Sequence, residues 1–147
     1  MSAAAYETVR ALRDAIAAEF PGMKVCVAEN AMQVADLLNV ASGVSAVIFY
    51  LSDAPSDAGI AATIRIGIAK DTRPMPRGKH VPSLLKTIDA FRAWMAASHS
   101  GLSYGGMPPV QNFFLNAESK GNLLVQTDER KVLNGYALTY TAVFAPP

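Results

Sequence analysis

Charge is what this sequence has least of. Asp, Glu, Lys and Arg make up 17% of its 147 residues, and 51% are hydrophobic, against a usual charged share of about 25%. A chain of this length suits one domain around one core, residues 1–147. A small monomer needs charge to coat its surface. The shortage therefore suits buried protein–protein interfaces, or else an alanine-rich composition with nothing further behind it. The charges nearly cancel, and a net charge of +1 excludes a global attraction for nucleic acid. Cysteine is almost missing. Cys26 has no second cysteine to pair with, which excludes an internal disulfide and fits a reducing compartment. No apolar run approaches the roughly 20 residues of a membrane helix. Glu7, Arg10, Arg13 and Asp14 interrupt the N-terminal segment, so no secretory signal is visible there. The expectation is a protein made and kept in the cytoplasm unless it joins something larger.

What the chain does have is a central pair of apolar strands. Residues 44–51 read VSAVIFYL, apolar on both sides, which predicts a strand covered on both faces. After SDAPSDAG the sequence alternates: Ile60, Ala62, Ile64, Ile66 and Ile68 share one face, and Thr63 and Arg65 take the other. Asp53, Pro55, Ser56, Asp57 and Gly59 supply turn chemistry between the two runs. The pattern predicts a long antiparallel hairpin at the middle of a sheet.

Ahead of it, Tyr6, Val9, Leu12, Ile16 and Phe20 recur at steps of three and four and predict an amphipathic helix stopped by Pro21-Gly22. Residues 24–28 are a short strand candidate, with Val25 and Val27 opposite Cys26. Asn30 is placed to cap a short helix carrying Val34, Leu37, Leu38 and Ala41. Beyond the hairpin, residues 81–97 predict a second strong helix, with Pro82 in its first turn. Its broad apolar face is Leu84, Leu85, Ile88, Phe91, Trp94 and Met95, fit to lie across a sheet. A Gly/Ser/Pro-rich loop at 98–110 follows, then a strand beginning at 113–116. A second hairpin of 122–128 and 133–144 turns through Glu129, Arg130 and Lys131. In its last strand Tyr136, Leu138, Tyr140, Ala142 and Phe144 share a face, and Thr139, Thr141 and Val143 the other. The fold class is α+β: a single mostly antiparallel or mixed β-sheet with two main helices packed against it.

The clearest polar feature is the connection at 70–80, KDTRPMPRGKH. Lys70, Arg73, Arg77 and Lys79 face the lone carboxylate of Asp71, a local charge of +3 that leaves the rest of the chain at −2. Such a loop either meets an acidic partner or a phosphate backbone, or keeps a hydrophobic hairpin in solution.

Catalytic patterns fail on their settings. Gly101-Leu102-Ser103-Tyr104-Gly105 matches the G-x-S-x-G nucleophile elbow, which needs a strand entering and a helix leaving. Here a helix precedes it and Gly106-Met107-Pro108-Pro109 follows, and both histidines, His80 and His99, come before Ser103. An esterase acting through Ser103 is a remote alternative. No histidine or cysteine spacing resembles a zinc site, and Asp53 with Asp57 reads as turn chemistry rather than a calcium loop. No glycine-rich phosphate loop is present. The expectation is no enzyme and no cofactor.

The order of the pieces resembles a known family. A helix ends at F-P-G; MKVCVA and MQVADLLNVAS follow; then SAVIFYL, a turn and ATIRIGIAKD; then a basic loop, VPSLLKTIDAFRAWMA, and a closing strand GYALTYTAVF. This resembles the tail terminator (tail completion) proteins of tailed bacteriophages, particularly the Mu-like group, over most of the chain. The segment 98–110 is longer than that pattern expects. The resemblance implies a structural virion-assembly protein forming a closed ring, usually of six copies, on the end of the tail tube. Its partners would then be itself, the tail tube protein and the head–tail neck protein. The ring would lie near DNA without a specific site and have no membrane contact. It would assemble in the host bacterial cytoplasm and stay in the virion tail. The loop of Lys70, Arg73, Arg77 and Lys79 would face a partner or the ring lumen. A small non-viral binding or adaptor module with the same layout is the alternative.

Overall fold

A computed structural model describes residues 3–28, 44–57, 59–71, 80–97, 110–128 and 131–144; for 3–5, 69–71, 80–84, 110–128, 131–135 and 144 it describes the backbone path alone. Among the described residues, two helices, α1 (Ala3–Glu19) and α2 (His80–Ala97), accompany five strands: β1 (Met23–Val27), β2 (Val44–Ser56), β3 (Gly59–Asp71), β4 (Val110–Asp128) and β5 (Lys131–Phe144). The strands form one sheet in the order β1-β2-β3-β5-β4. β1 runs parallel to β2, and every other neighbouring pair is antiparallel. The architecture is α+β with a mixed sheet.

α1 forms where alanines dilute a stripe of Val9, Leu12 and Ile16, all three buried. The 3.6-residue period brings these onto one side. Pro21 ends the helix. Its ring fixes φ, and it has no N–H to continue the ladder. Phe20 N–H donates to Ile16 O and Met23 N–H donates to Phe20 O, both at 2.9 Å, so the chain turns directly into β1. That strand, whose pairing the sequence leaves open, joins the sheet at its edge, matching Met23 to Val44 and Val27 to Ile48.

The core lies between this sheet and both helices. Ala46 and Ile48 of β2, Ile64, Ile66 and Ile68 of β3, and Leu138, Tyr140 and Ala142 of β5 form one buried cluster with Val9, Leu12 and Ile16 of α1 and Ile88, Phe91 and Met95 of α2. Register explains why these residues meet. Ile66 is matched to Ile48 on one side and Leu138 on the other, and Ile68 to Ala46 and Tyr136. The alternation on β3 and on β5 therefore sends both strands' apolar faces the same way. Each fully buried isoleucine contributes about 1.5–3 kcal/mol, so this layer dominates stability. α1 packs on β1 and β2, and α2 reaches β3, β4 and β5. Phe20 links the two helices: its ring lies 5.8 Å from Phe91 and edge-on to Trp94 at 5.7 Å.

β2 meets the expectation of a strand covered on both faces only from Ser45 to Ile48; Leu51, the last residue of the run expected to be covered, is exposed. Ala46 and Ile48 look toward the helices. Ser45 and Val47 look the other way and are still only 2% and 4% exposed. On that second face the ring of Phe49 leans across the strand pair toward Gly67, where an added Cβ would stand 3.8 Å from Phe49 Cε2.

Four expectations need correction. The hairpin turn does not occupy 52–59: β2 continues to Ser56, which pairs with Gly59, so Asp53, Pro55 and Ser56 lie in the strand. Pairing along β3 holds these turn-prone residues extended, a tertiary override of local preference. β3 likewise continues through Lys70 and Asp71, which pair with Asn134 and Leu133. The two short strands expected at 113–116 and 122–128 are one strand, Val110–Asp128, whose four register shifts against β5 absorb the mismatched length. Leu85 is not on the packed face of α2: it is 43% exposed, about 90° round the helix from the stripe of Ile88, Phe91 and Met95. The short helix expected after Asn30 and the glycine-rich loop at 98–109 fall outside the described residues.

Candidate functional site

Lys70 is the penultimate residue of β3, opposite Val44 and Asn134. It therefore sits at the end of the hairpin remote from the turn at Asp57. Thirteen residues of β3 at about 3.3 Å each put roughly 40 Å between the two ends. Arg73, Arg77 and Lys79, which the sequence groups with Lys70, lie outside the described residues, as do His99 and Ser103. His80 opens α2. Asp57 is exposed at the hairpin turn.

Asp53 has a local partner that the sequence conceals. Tyr50 pairs with Ile64, and Ser52 pairs with Thr63, so Leu51 is an extra residue, a β-bulge. In a regular strand, residues three apart face opposite sides. The bulge shifts the phase, so that Asp53, matched to Ala62, comes to the same face as Tyr50. Tyr50 Oη donates a hydrogen bond of 2.5 Å to Asp53 Oδ2. Partial burial of the phenol, then its bond to the carboxylate and that group's charge, push the Tyr50 pKa well above the ordinary tyrosine range. The phenol is thus a fixed hydrogen-bond donor. At the tip, Ser56 Oγ donates to Gly59 O at 3.0 Å, and Gly59 has φ 133°, a conformation glycine tolerates and side chains oppose.

Cys26 is half-buried on the second face. Burial raises its thiol pKa, partly offset by the positive charges of Lys24 and Arg13. A thiol held protonated is a poor nucleophile and a poor metal ligand. Among the described residues no three His, Cys, Asp or Glu side chains gather as a metal site, and no helix is long and apolar enough to cross a membrane. Trp94 is engaged with Phe20 and Phe91 and so packs the helix junction.

The described side chains thus assemble a packed layer and a polar hairpin end. Sequence reasoning missed the Tyr50–Asp53 pair, because only the bulge brings the two together and no residue type announces it. No protein-family model matches this chain, and no curated protein matches it.

Proposed function

We propose that this chain is a structural protein of a phage or prophage tail. It caps the tail tube as a ring of six copies, ends tube polymerisation and offers the surface that joins the neck. The observation that carries this reading is the order of elements. An amphipathic helix ending at Phe20-Pro21-Gly22, a short strand, a long central hairpin, a helix and a closing strand with Tyr136, Tyr140 and Phe144 on one face come in the order of the tail terminator pattern, with the long β4 as an additional strand before the last. The low charged share, 17%, supports it as well, since a ring subunit needs two different patches for its neighbours. In this reading Lys70, Arg73, Arg77 and Lys79 meet the tube, the neck or the genome, the protein works without catalysis or cofactor, and it passes from the host cytoplasm into the virion tail.

The test is genetic and structural. Removing the chain from the phage that encodes it should yield tails of uncontrolled length that fail to join heads, seen by electron microscopy. Tails of normal length joined to heads would refute the proposal. Reversing Lys70, Arg73, Arg77 and Lys79 to acidic residues should leave folding intact and reduce the yield of completed tails. Normal completion would mean that the loop only keeps the hairpin in solution.

A further inference from the structure

A sheet that ends in open strands can add the strands of a second copy, and proteins that must not polymerise carry devices against this. In this sheet the described edges are β1, the half of β2 beyond β1, and β4. β1 is only five residues long. β4 is broken by four register shifts. The remaining edge is β2 beyond Ile48, where among the described residues no strand pairs with its outer side. It is exposed from Leu51 through Ser56.

The hairpin register tells which backbone groups of that segment face outward. Ser56 and Gly59 close a two-residue turn, and such a closing pair exchanges hydrogen bonds. Alternation then makes Ala54–Ala61 a bonded pair, and leaves Pro55–Ile60 and Asp53–Ala62 as pairs whose N–H and C=O point away from β3. The two outward stations are therefore Asp53 and Pro55. Proline has no N–H to offer an incoming strand. Asp53 brings a carboxylate to the other station. Immediately before them, the bulge at Leu51 breaks the even spacing that a partner strand would need.

We infer that this edge is guarded: Pro55, Asp53 and the Leu51 bulge together bar strand addition by a second copy of the chain. Copies then meet through faces and loops rather than by continuing the sheet. The inference does not depend on the tail reading, since open-ended growth would harm any small protein with this sheet.

The test compares purified wild-type protein with Pro55→Ala, Pro55→Thr, the double variant Asp53→Thr/Pro55→Thr, and the control Ala54→Thr. Circular dichroism first checks that each is folded. Size-exclusion with light scattering and thioflavin binding are then followed over a concentration series. Pro55→Ala restores the outward donor without adding β-propensity, and stands if the threonine variants misfold. The expected result is growth to open-ended species in the Pro55 variants, with the double variant beginning at a concentration at least about tenfold lower than wild type. Ala54→Thr, whose backbone is already bonded to β3, should match wild type. A folded double variant with the wild-type size distribution would overturn the inference. So would an Ala54→Thr variant that grows as readily as the Pro55 variants, since added β-propensity alone would then explain growth.

Discussion

The two halves of the β2–β3 hairpin share one pairing and differ in almost everything else. From Ser45 to Ile48 the strand is buried on both faces, and its partners Ile66 and Ile68 are sealed under the helices. From Leu51 to Asp57 every residue is exposed, although the hydrogen-bonded ladder to β3 continues to Ser56. Backbone pairing is therefore not what sets stability along this element. The covered half is held by apolar burial. The β2 side of the open half is shaped by devices of backbone geometry, a bulge, a proline and a glycine turn, while on its β3 side Ala62 is still buried, packed by Tyr50 and Ile60. The first half anchors the fold, and the second presents a surface.

The largest expected effect lies in the covered half. Ile66→Ala removes a fully buried side chain between Ile48 and Leu138 and should cost about 2–5 kcal/mol, measured by urea denaturation. The same truncation in the open half, Leu51→Ala, removes a side chain that is 46% exposed and should cost less than about 1 kcal/mol. Equal losses would erase the contrast between the halves. Next comes Gly59→Ala, which forces a Cβ onto φ 133° and should lose about 1–3 kcal/mol. In the covered half the corresponding change, Gly67→Ala, has no such cost. Its Cβ would meet Phe49 Cε2 at an ordinary 3.8 Å, so stability should hold or rise by up to about 1 kcal/mol.

The smallest effect concerns Tyr50. Tyr50→Phe deletes the bond to Asp53 and should cost about 0.5–1.5 kcal/mol at neutral pH. The pH dependence has a definite sign. The folded pKa is raised above the unfolded value of 10.0, so above that pH the unfolded chain loses its phenol proton first. The stability tied to this group is present below about pH 10 and is lost as pH climbs toward the folded pKa. Cys26, raised from 9.0, adds a loss in the same direction from about pH 9. Thermal melts at pH 8 and pH 11 should therefore differ less in the double variant Tyr50→Phe/Cys26→Ala than in wild type. An unchanged difference would show that other groups carry the alkaline loss.

Legibility in the sequence followed the same divide. Ile64, Ile66 and Ile68 announce a one-sided strand because period-two spacing has a single explanation when the opposite positions are threonine, arginine and glycine. Val9, Leu12 and Ile16 do the same for a helix. The open half misled, since Asp53, Pro55 and Ser56 prefer turns locally and only the ladder to β3 keeps them extended. The long β4 was hidden for a related reason. Gly121 and the polar residues near it break the alternation, and the bulges that accommodate them leave no periodic trace. β1 was readable as a strand but not as a neighbour of β2, because parallel pairing joins segments distant in sequence. Of the proposed basic surface, only Lys70 falls among the described residues, and it stands at a strand end rather than in a loop.

Subunit number is the sharpest test of the proposed ring. Native mass spectrometry over a concentration series, with and without added tail tubes, is the measurement to make first. A six-copy ring would appear as a discrete species of that mass, free in solution or once tubes are present. A lone monomer at every concentration, with tubes as well as without, would contradict it.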